Sequence, residues 1–239
     1  MDRYQWIEKG RLEEFAIIEE AVPKNISSKD FERAQYNRGD AAIILADLGL
    51  LHWRHGLDPC GDFRAAAEAF DKAGAMAREY GLRSSVDWRQ TVVAAALYLI
   101  NHPADIHFWN DRFEKARWPC YDVCLIYALY DKPLSDLHQS QLEAFFAKHD
   151  DLVDATYRTY FDLLRAPAEG DREVLVRKAE DNWLKRKTNR FFEESDSRDG
   201  HGDYNELYVD IYLAAVLRKI GWQGESVHRW KWETPHSAR

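Results

Sequence analysis

The chain has 239 residues, of which 46% are hydrophobic and 13% aromatic, so it can bury a sizeable core in one large domain or two small ones. Its 41 acidic residues outnumber its 33 basic residues, giving a net charge of −8. This balance argues against nucleic acid or an anionic membrane as a direct ligand, because either would require a basic patch. The three cysteines do not suggest a disulfide framework, and the first fifteen residues contain no apolar signal region. We therefore expect a cytoplasmic protein with a basic protein as its partner.

Glycine and proline fall mostly between apolar stretches of helical period, and no segment alternates with a period of two. The sequence predicts an all-α fold, an irregular array of about nine to ten helices. In chain order we expect helices over 3–22, 30–55, 62–80, 88–100, 106–118, 119–130, 136–148, 151–164, 171–194 and 203–220. We expect a single domain over 1–239, with a candidate sub-boundary at 166–171, where Pro167 and Gly170 flank a break.

The second and third predicted helices resemble a tetratricopeptide hairpin. Small residues at Ala66, Ala73 and Ala77 allow a tight helix crossing, and Trp53 and Phe70 supply bulk beside it. We therefore expect TPR-like antiparallel hairpins, although the period does not clearly repeat downstream. Proteins built from such hairpins bind peptides, so a TPR-like peptide-binding scaffold is one alternative for the function.

The most unusual stretch is the acidic run that leads into the last predicted helix. Asp203, Glu206 and Asp210 fall at i, i+3 and i+7, which places three carboxylates on one face of that helix. Helix capping accounts for the first two acids but does not account for Asp210, two turns in. Because like charges at this spacing repel, keeping them suggests a cationic partner. The predicted partner-binding residues are Glu193, Glu194, Asp196, Asp199, Asp203, Glu206 and Asp210.

The segment 195–206 can also be aligned with a helix-flanked calcium-binding loop. Asp199, Asp203 and Glu206 would occupy three ligand positions, with Gly200 at the turn. Two further ligand positions would hold serines where aspartate is expected. A calcium site is therefore not the preferred reading.

Two other groups of residues could suggest a metal. Cys120 and Cys124 are four residues apart on one predicted helix, but no second ligand pair accompanies them, which favours buried thiols. A metal-dependent helical hydrolase would need several histidines and aspartates to converge on a metal ion. The candidate residues are the dipeptide His149-Asp150, the aspartates that follow it, Asp151 and Asp154, and three upstream histidines, His52, His55 and His138. Because no phosphate loop, nucleophile elbow or dinucleotide fingerprint is present, we expect no enzyme, cofactor or bound metal.

The C-terminal third resembles the helical immunity proteins that bacteria pair with secreted polymorphic toxins, in particular those that guard against PoNe-type DNase toxins. The resemblance covers about forty residues, 182–221, and departs from the pattern at Leu207-Tyr208, where a cluster containing tryptophan is expected. It depends on an aromatic-bearing polar helix, a histidine in the following loop, and an acidic, alanine-rich helix that ends in Ile-Gly: Asn182, Trp183, Leu184, His201, Tyr204, Glu206, Ala214, Ala215, Ile220 and Gly221.

This resemblance implies an acidic, all-α, cytosolic protein without cofactor or catalytic residues that binds one cognate toxin. Nuclease toxins hold polyanions, so the rims of their active sites are basic. An acidic surface on the partner can occupy such a rim, steer association and block the substrate. The resemblance and the charge pattern therefore lead to the same expectation, a protein that binds a basic nuclease.

Overall fold

A computed structural model describes residues 3–82, 90–103, 121–148, 151–167, 169–187 and 209–232. Within these ranges the chain is all-α, as predicted, with nine helices and no strand. The helices are α1 (Arg3–Ser27), α2 (Phe31–Arg54), α3 (Cys60–Glu79), α4 (Gln90–Leu99), α5 (Tyr121–Leu129), α6 (Asp136–Lys148), α7 (Leu152–Arg165), α8 (Glu169–Lys187) and α9 (Ile211–Lys219). None of them is both long and apolar enough to cross a membrane.

The chain divides into two compact units, Met1–Phe108 together with Lys231–Arg239, and Trp109–Trp230. The first unit contains α1 to α4 and the second contains α5 to α9. The candidate sub-boundary at 166–171 therefore lies inside the second unit. Arg172 bridges it, because its Nε donates to the Ala166 carbonyl at 3.0 Å and its Nη1 to the Ile220 carbonyl at 3.3 Å.

In the first unit, α2 packs against α1, α3 and α4. The α2–α3 pair is a close-packed hairpin, because a Cβ atom built on Gly49 would lie 2.4 Å from Cε1 of Phe63. Only glycine leaves room for Phe63 at this crossing. The small residues predicted to permit a tight crossing, Ala66, Ala73 and Ala77, are all buried, as are Trp53 and Phe70.

The first helix is longer than predicted. We expected it to end at Val22 because Pro23 follows, yet α1 continues through Pro23 to Ser27. A proline removes one intrahelical hydrogen bond, but the helix resumes when the surrounding turns are held by packing. Val22 is buried, and the helix ends only before Lys29, which has a φ of +61°.

In the second unit, α5 packs against α7 and α9, and α7 also packs against α8. The helix α7 begins at a capping box: the Asp151 carboxylate accepts hydrogen bonds from the backbone N–H groups of Val153 and Asp154, at 2.8 and 2.9 Å. Asp154 is buried and also accepts a hydrogen bond from the Tyr121 hydroxyl. Desolvation and this hydrogen bond raise the pKa of Tyr121 far above its ordinary value. The start of α7 is therefore fixed to α5.

The last helix begins later than predicted. We expected it over 203–220, but α9 starts at Ile211, and Asp210 is its N-cap residue in an extended backbone conformation. Residues 203–208 lie outside the described part of the chain, as does the short helix expected over 106–118. Asp210 therefore precedes the helix that was predicted to contain it.

Candidate functional site

Of the seven carboxylates predicted to bind a partner, the structure describes one, Asp210. Glu193, Glu194, Asp196, Asp199, Asp203 and Glu206 lie outside the described residues. The prediction for these six therefore stays a prediction, whereas that for Asp210 can be examined.

Asp210 is buried, with 2% of its surface exposed. Its Oδ1 accepts a hydrogen bond from the Leu213 backbone N–H at 3.0 Å and so caps the first turn of α9. The sequence pattern placed Asp210 two turns into a helix, on an exposed acidic face. That prediction is wrong, because the side chain points into the second unit.

The other carboxylate oxygen of Asp210 belongs to a buried ion pair. Its Oδ2 lies 2.6 Å from Nη2 of Arg186 and accepts a hydrogen bond from the Tyr160 hydroxyl. Arg186 is 5% exposed and Tyr160 is fully buried. Because a buried charge is tolerated only when it is paired and hydrogen-bonded, the chain itself neutralises Asp210. Asp210 cannot be one of the residues that meet a cationic partner.

His228 completes this cluster from the C-terminal segment. The backbone N–H of Asp210 donates to Nδ1 of His228 at 3.0 Å, so the proton of the neutral ring is on Nε2. The His228 ring is fully buried and packs edge-on against Trp183 of α8, with 4.7 Å between ring centroids. We define the anchor cluster as Asp210, Arg186, Tyr160 and His228.

Sequence reasoning missed the anchor cluster. In the sequence, Arg186 stands in a basic run between Lys185 and Lys187, which gives no sign of a buried partner. A local signal for the capping role of Asp210 was available. Asp210 stands immediately before the strongly apolar stretch Ile211–Leu217, and an N-cap side chain accepts a hydrogen bond from the backbone N–H two or three residues further on, here Leu213. That spacing predicts an N-cap, although it does not reveal which cation compensates the charge.

The anchor cluster joins the two ends of one stretch of chain. Arg186 lies in the last turn of α8, Asp210 immediately precedes α9, and the two are 24 positions apart in sequence. We define the acidic segment as residues 187–209. It contains the six remaining carboxylates and three basic residues, Lys187, Arg190 and Arg198. Because its six acidic residues outnumber its three basic residues, the acidic segment has a net negative charge.

A second polar cluster lies in the first unit, where three helices meet at His52 of α2. Its Nδ1 is 2.6 Å from Oδ2 of Asp62 on α3, and its Nε2 is 3.2 Å from Oε1 of Glu8 on α1. Desolvation lowers the pKa of His52, but the hydrogen bonds and charges of Asp62 and Glu8 outweigh it and raise the pKa above the ordinary value. The cluster ties three helices together through the His52 ring.

No group of three or more His, Cys, Asp or Glu residues that could hold a metal ion occurs within the described ranges. Cys124 is buried, whereas Cys120 lies outside those ranges. His149, Asp150 and the calcium-loop alignment over 195–206 also lie outside them. The residues named for a hydrolase that are described, such as Asp151, Asp154 and His52, take part in capping or in helix-bridging contacts.

Comparison with protein-family models, with curated proteins and with solved structures finds no match to the chain. What can be inferred about its function rests on charge, burial and geometry within the chain.

Proposed function

We propose that this chain is an immunity protein, which binds a cognate secreted bacterial toxin and blocks its active site. The toxin is a basic protein, a nuclease, and the acidic segment covers its substrate-binding rim. The chain acts by binding and performs no catalysis of its own. It needs no cofactor, and it works in the cytoplasm, where the toxin would act.

One observation carries this proposal. Asp210 is paired inside the anchor cluster, and the six other predicted partner-binding carboxylates lie in a stretch whose two ends meet at the buried Arg186–Asp210 ion pair. Arg186 and Asp210 lie 2.6 Å apart, so both ends of the acidic segment are held at one place. The net charge of −8 and the resemblance over 182–221 agree with this reading. The remaining partner-binding residues are Glu193, Glu194, Asp196, Asp199, Asp203 and Glu206.

Electrostatics explains how such a segment would inhibit a nuclease. A basic rim that holds a polyanion attracts carboxylates, which raises the association rate above that of neutral surfaces. Close charge pairs at a tight protein interface can each contribute about 1.5 to 7 kcal/mol. A few such contacts would allow the chain to compete with nucleic acid for the rim.

The anchored ends also lower the entropic cost of binding. Bringing together the ends of a chain segment of this length costs roughly 3 kcal/mol, plus a constant, by the logarithmic dependence on segment length. The Arg186–Asp210 pair meets this cost when the chain folds. The two ends of the acidic segment are then already together before binding, and this part of the entropic cost is not part of the binding free energy.

Charge reversal tests the proposal. The triple variant Asp199→Lys, Asp203→Lys and Glu206→Lys should lose binding to the basic nuclease toxin encoded beside the chain, measured by titration calorimetry and by protection of DNA from cleavage. The matched control is Glu19→Lys, Glu68→Lys and Glu225→Lys, which makes the same change in net charge at exposed positions outside the acidic segment.

The control should bind as the native chain does. If the segment variant still protects against the toxin, the acidic segment is not the binding surface. If both triple variants lose binding equally, net charge alone and not a defined surface drives association.

The α2–α3 hairpin supports a second candidate, a TPR-like scaffold that binds a peptide. In such a scaffold the first helix of the hairpin would face the ligand, and on α2 the side chain of Tyr36 is exposed. If this candidate is correct, Tyr36→Ala should weaken binding of a peptide partner, and the charge-reversal variant of the acidic segment should not.

A further inference from the structure

The second unit contains a cavity of about 270 Å³ between α5, α6 and α7. Its floor is apolar, formed by Leu142 and Phe161, which are buried, and by Leu164, which is half-buried. A cavity of about 150 Å³ already accommodates benzene, so this one has room for an aromatic or branched aliphatic group. An apolar concavity of this kind is a typical binding site for a small molecule.

The cavity exists because two helix faces meet without filling the space between them. On α6, Gln139, Leu142 and Glu143 are spaced at i, i+3 and i+4, and on α7 the residues Phe161, Leu164 and Arg165 have the same spacing. Among the residues of α6, only His138 and Leu142 are buried. The helix therefore leaves an open apolar concavity beside α7.

Two cations stand at the edge of this concavity, Lys132 and Arg165. Both side chains are exposed, and neither has an ion pair with any residue in the described part of the chain. The neighbouring carboxylate of Asp131 is paired with Lys219 instead. Arg165 is the last residue of α7, and Lys132 lies three residues beyond the end of α5, so both are near helix C-termini, where the helix dipole favours positive charge. The dipoles explain the positions of the cations, but they do not explain the apolar floor between them.

One carboxylate also lines the cavity. Glu143 accepts a hydrogen bond from Nε2 of Gln139 at 3.4 Å. Lys132 and Arg165 line the same cavity, so its lining has an excess of one positive charge. A ligand that complements these features has an apolar body and a single negative charge.

We propose that this cavity binds a small organic carboxylate with an aromatic or branched apolar group. The apolar group lies on Leu142, Phe161 and Leu164, and the carboxylate faces Lys132 and Arg165. None of the residues that line this site belongs to the acidic segment, and the proposal does not depend on the identity of a toxin.

Phenylacetate and its neutral analogue phenylacetamide test the proposal on the full-length protein. Titration followed by NMR should give saturable shifts of the backbone signals of Leu142 and Leu164 with phenylacetate. Phenylacetamide should bind more weakly, because it cannot pair with the two cations. No saturable shift with phenylacetate, equal affinity for the two probes, or shifts centred elsewhere would overturn the proposal.

Charge variants supply a sharper test. Arg165→Gln should weaken phenylacetate binding by about two- to fivefold, the range expected for an exposed ion pair, and Glu143→Gln should strengthen it. The matched control is Lys148→Gln, which removes a cation from the C-terminal end of the neighbouring helix α6 at an exposed position that does not line the cavity. Equal effects of Arg165→Gln and Lys148→Gln would contradict a specific site.

A steric pair of variants tests the cavity itself. Leu164→Trp should fill the concavity and abolish phenylacetate binding, whereas Leu137→Trp, at an exposed position on α6 outside the cavity, should leave binding unchanged. Persistent binding by a folded Leu164→Trp variant would show that the probe binds elsewhere.

Discussion

The guanidinium of Arg186 and the carboxylate of Asp210 form a buried ion pair with 2.6 Å between Nη2 and Oδ2, which joins the end of α8 to the start of α9. Both charges are compensated inside the second unit. The one described carboxylate of the predicted partner-binding set is therefore used within the chain, and the pair marks where the acidic segment starts and ends.

Removing one member of this pair should destabilise the chain strongly. Arg186→Met leaves the Asp210 carboxylate buried without its cation, which costs about 3 to 5 kcal/mol in comparable pairs. Adding Asp210→Asn to Arg186→Met removes the stranded charge while keeping a capping side chain, so the double variant should be more stable than Arg186→Met alone. Urea unfolding of the two single variants and the double variant measures this coupling, and strictly additive losses would contradict a direct pair.

Gly49→Ala should also be destabilising, although alanine is the better helix former. The added methyl group would lie 2.4 Å from Cε1 of Phe63, and overpacking of this kind costs about 1 to 3 kcal/mol. Gly10→Ala on α1 is the matched control, because nothing lies within 4 Å of the added Cβ there. In that open position the substitution should stabilise the helix by roughly 0.5 to 1 kcal/mol. Thermal unfolding should therefore shift in opposite directions for the two variants.

The His52 cluster predicts a pH dependence of stability. Both ring nitrogens lie beside carboxylates, and a neutral imidazole has only one N–H to donate, so the native state favours the imidazolium. Because the folded pKa is raised, this stabilisation is complete below the ordinary histidine pKa of about 6.5 and is lost as the pH rises through the folded value.

The difference in unfolding free energy between the native chain and His52→Gln should accordingly be larger at about pH 6 than at about pH 8.5. An NMR titration of the His52 ring should give a pKa above the ordinary value. Replacing Glu8 with Gln should lower that pKa. A difference that does not change with pH would show that the cluster makes no proton-linked contribution.

The capping box at α7 predicts a smaller effect. Asp151→Ala removes the acceptor for the N–H groups of Val153 and Asp154 and should cost about 1 kcal/mol of stability. Asp151→Ser retains an acceptor and should recover most of that loss. Urea unfolding distinguishes the two variants, and an equal loss for both would mean that the cap itself contributes little.

Local sequence signals predicted the structure well where the structure is local. The eighth predicted helix was expected to begin at Asp150 or Asp151, and Asp151 is the N-cap of α7. Phe70 and the alanines expected at the tight crossing, Ala66, Ala73 and Ala77, are buried. In each case the decisive contact lies within a few residues, or it follows from the helical period alone.

Asp210 was misplaced because its environment is assembled from distant parts of the chain. Its partners Arg186, Tyr160 and His228 lie 24, 50 and 18 positions away. Spacing alone could not distinguish an acid on an exposed helical face from an N-cap with a buried cation opposite it. The division of the chain into two units depends on long-range packing in the same way, and for that reason the proline and glycine at 166–171 did not mark it.

The position of the buried ion pair has a consequence for how the chain can diverge. The pair itself sets the two junctions of the stretch that it bounds. Lengthening that stretch by ten residues would add only about 0.3 kcal/mol of closure entropy. A chain that keeps Arg186 and Asp210 could therefore vary in the length of the sequence between them at little entropic cost.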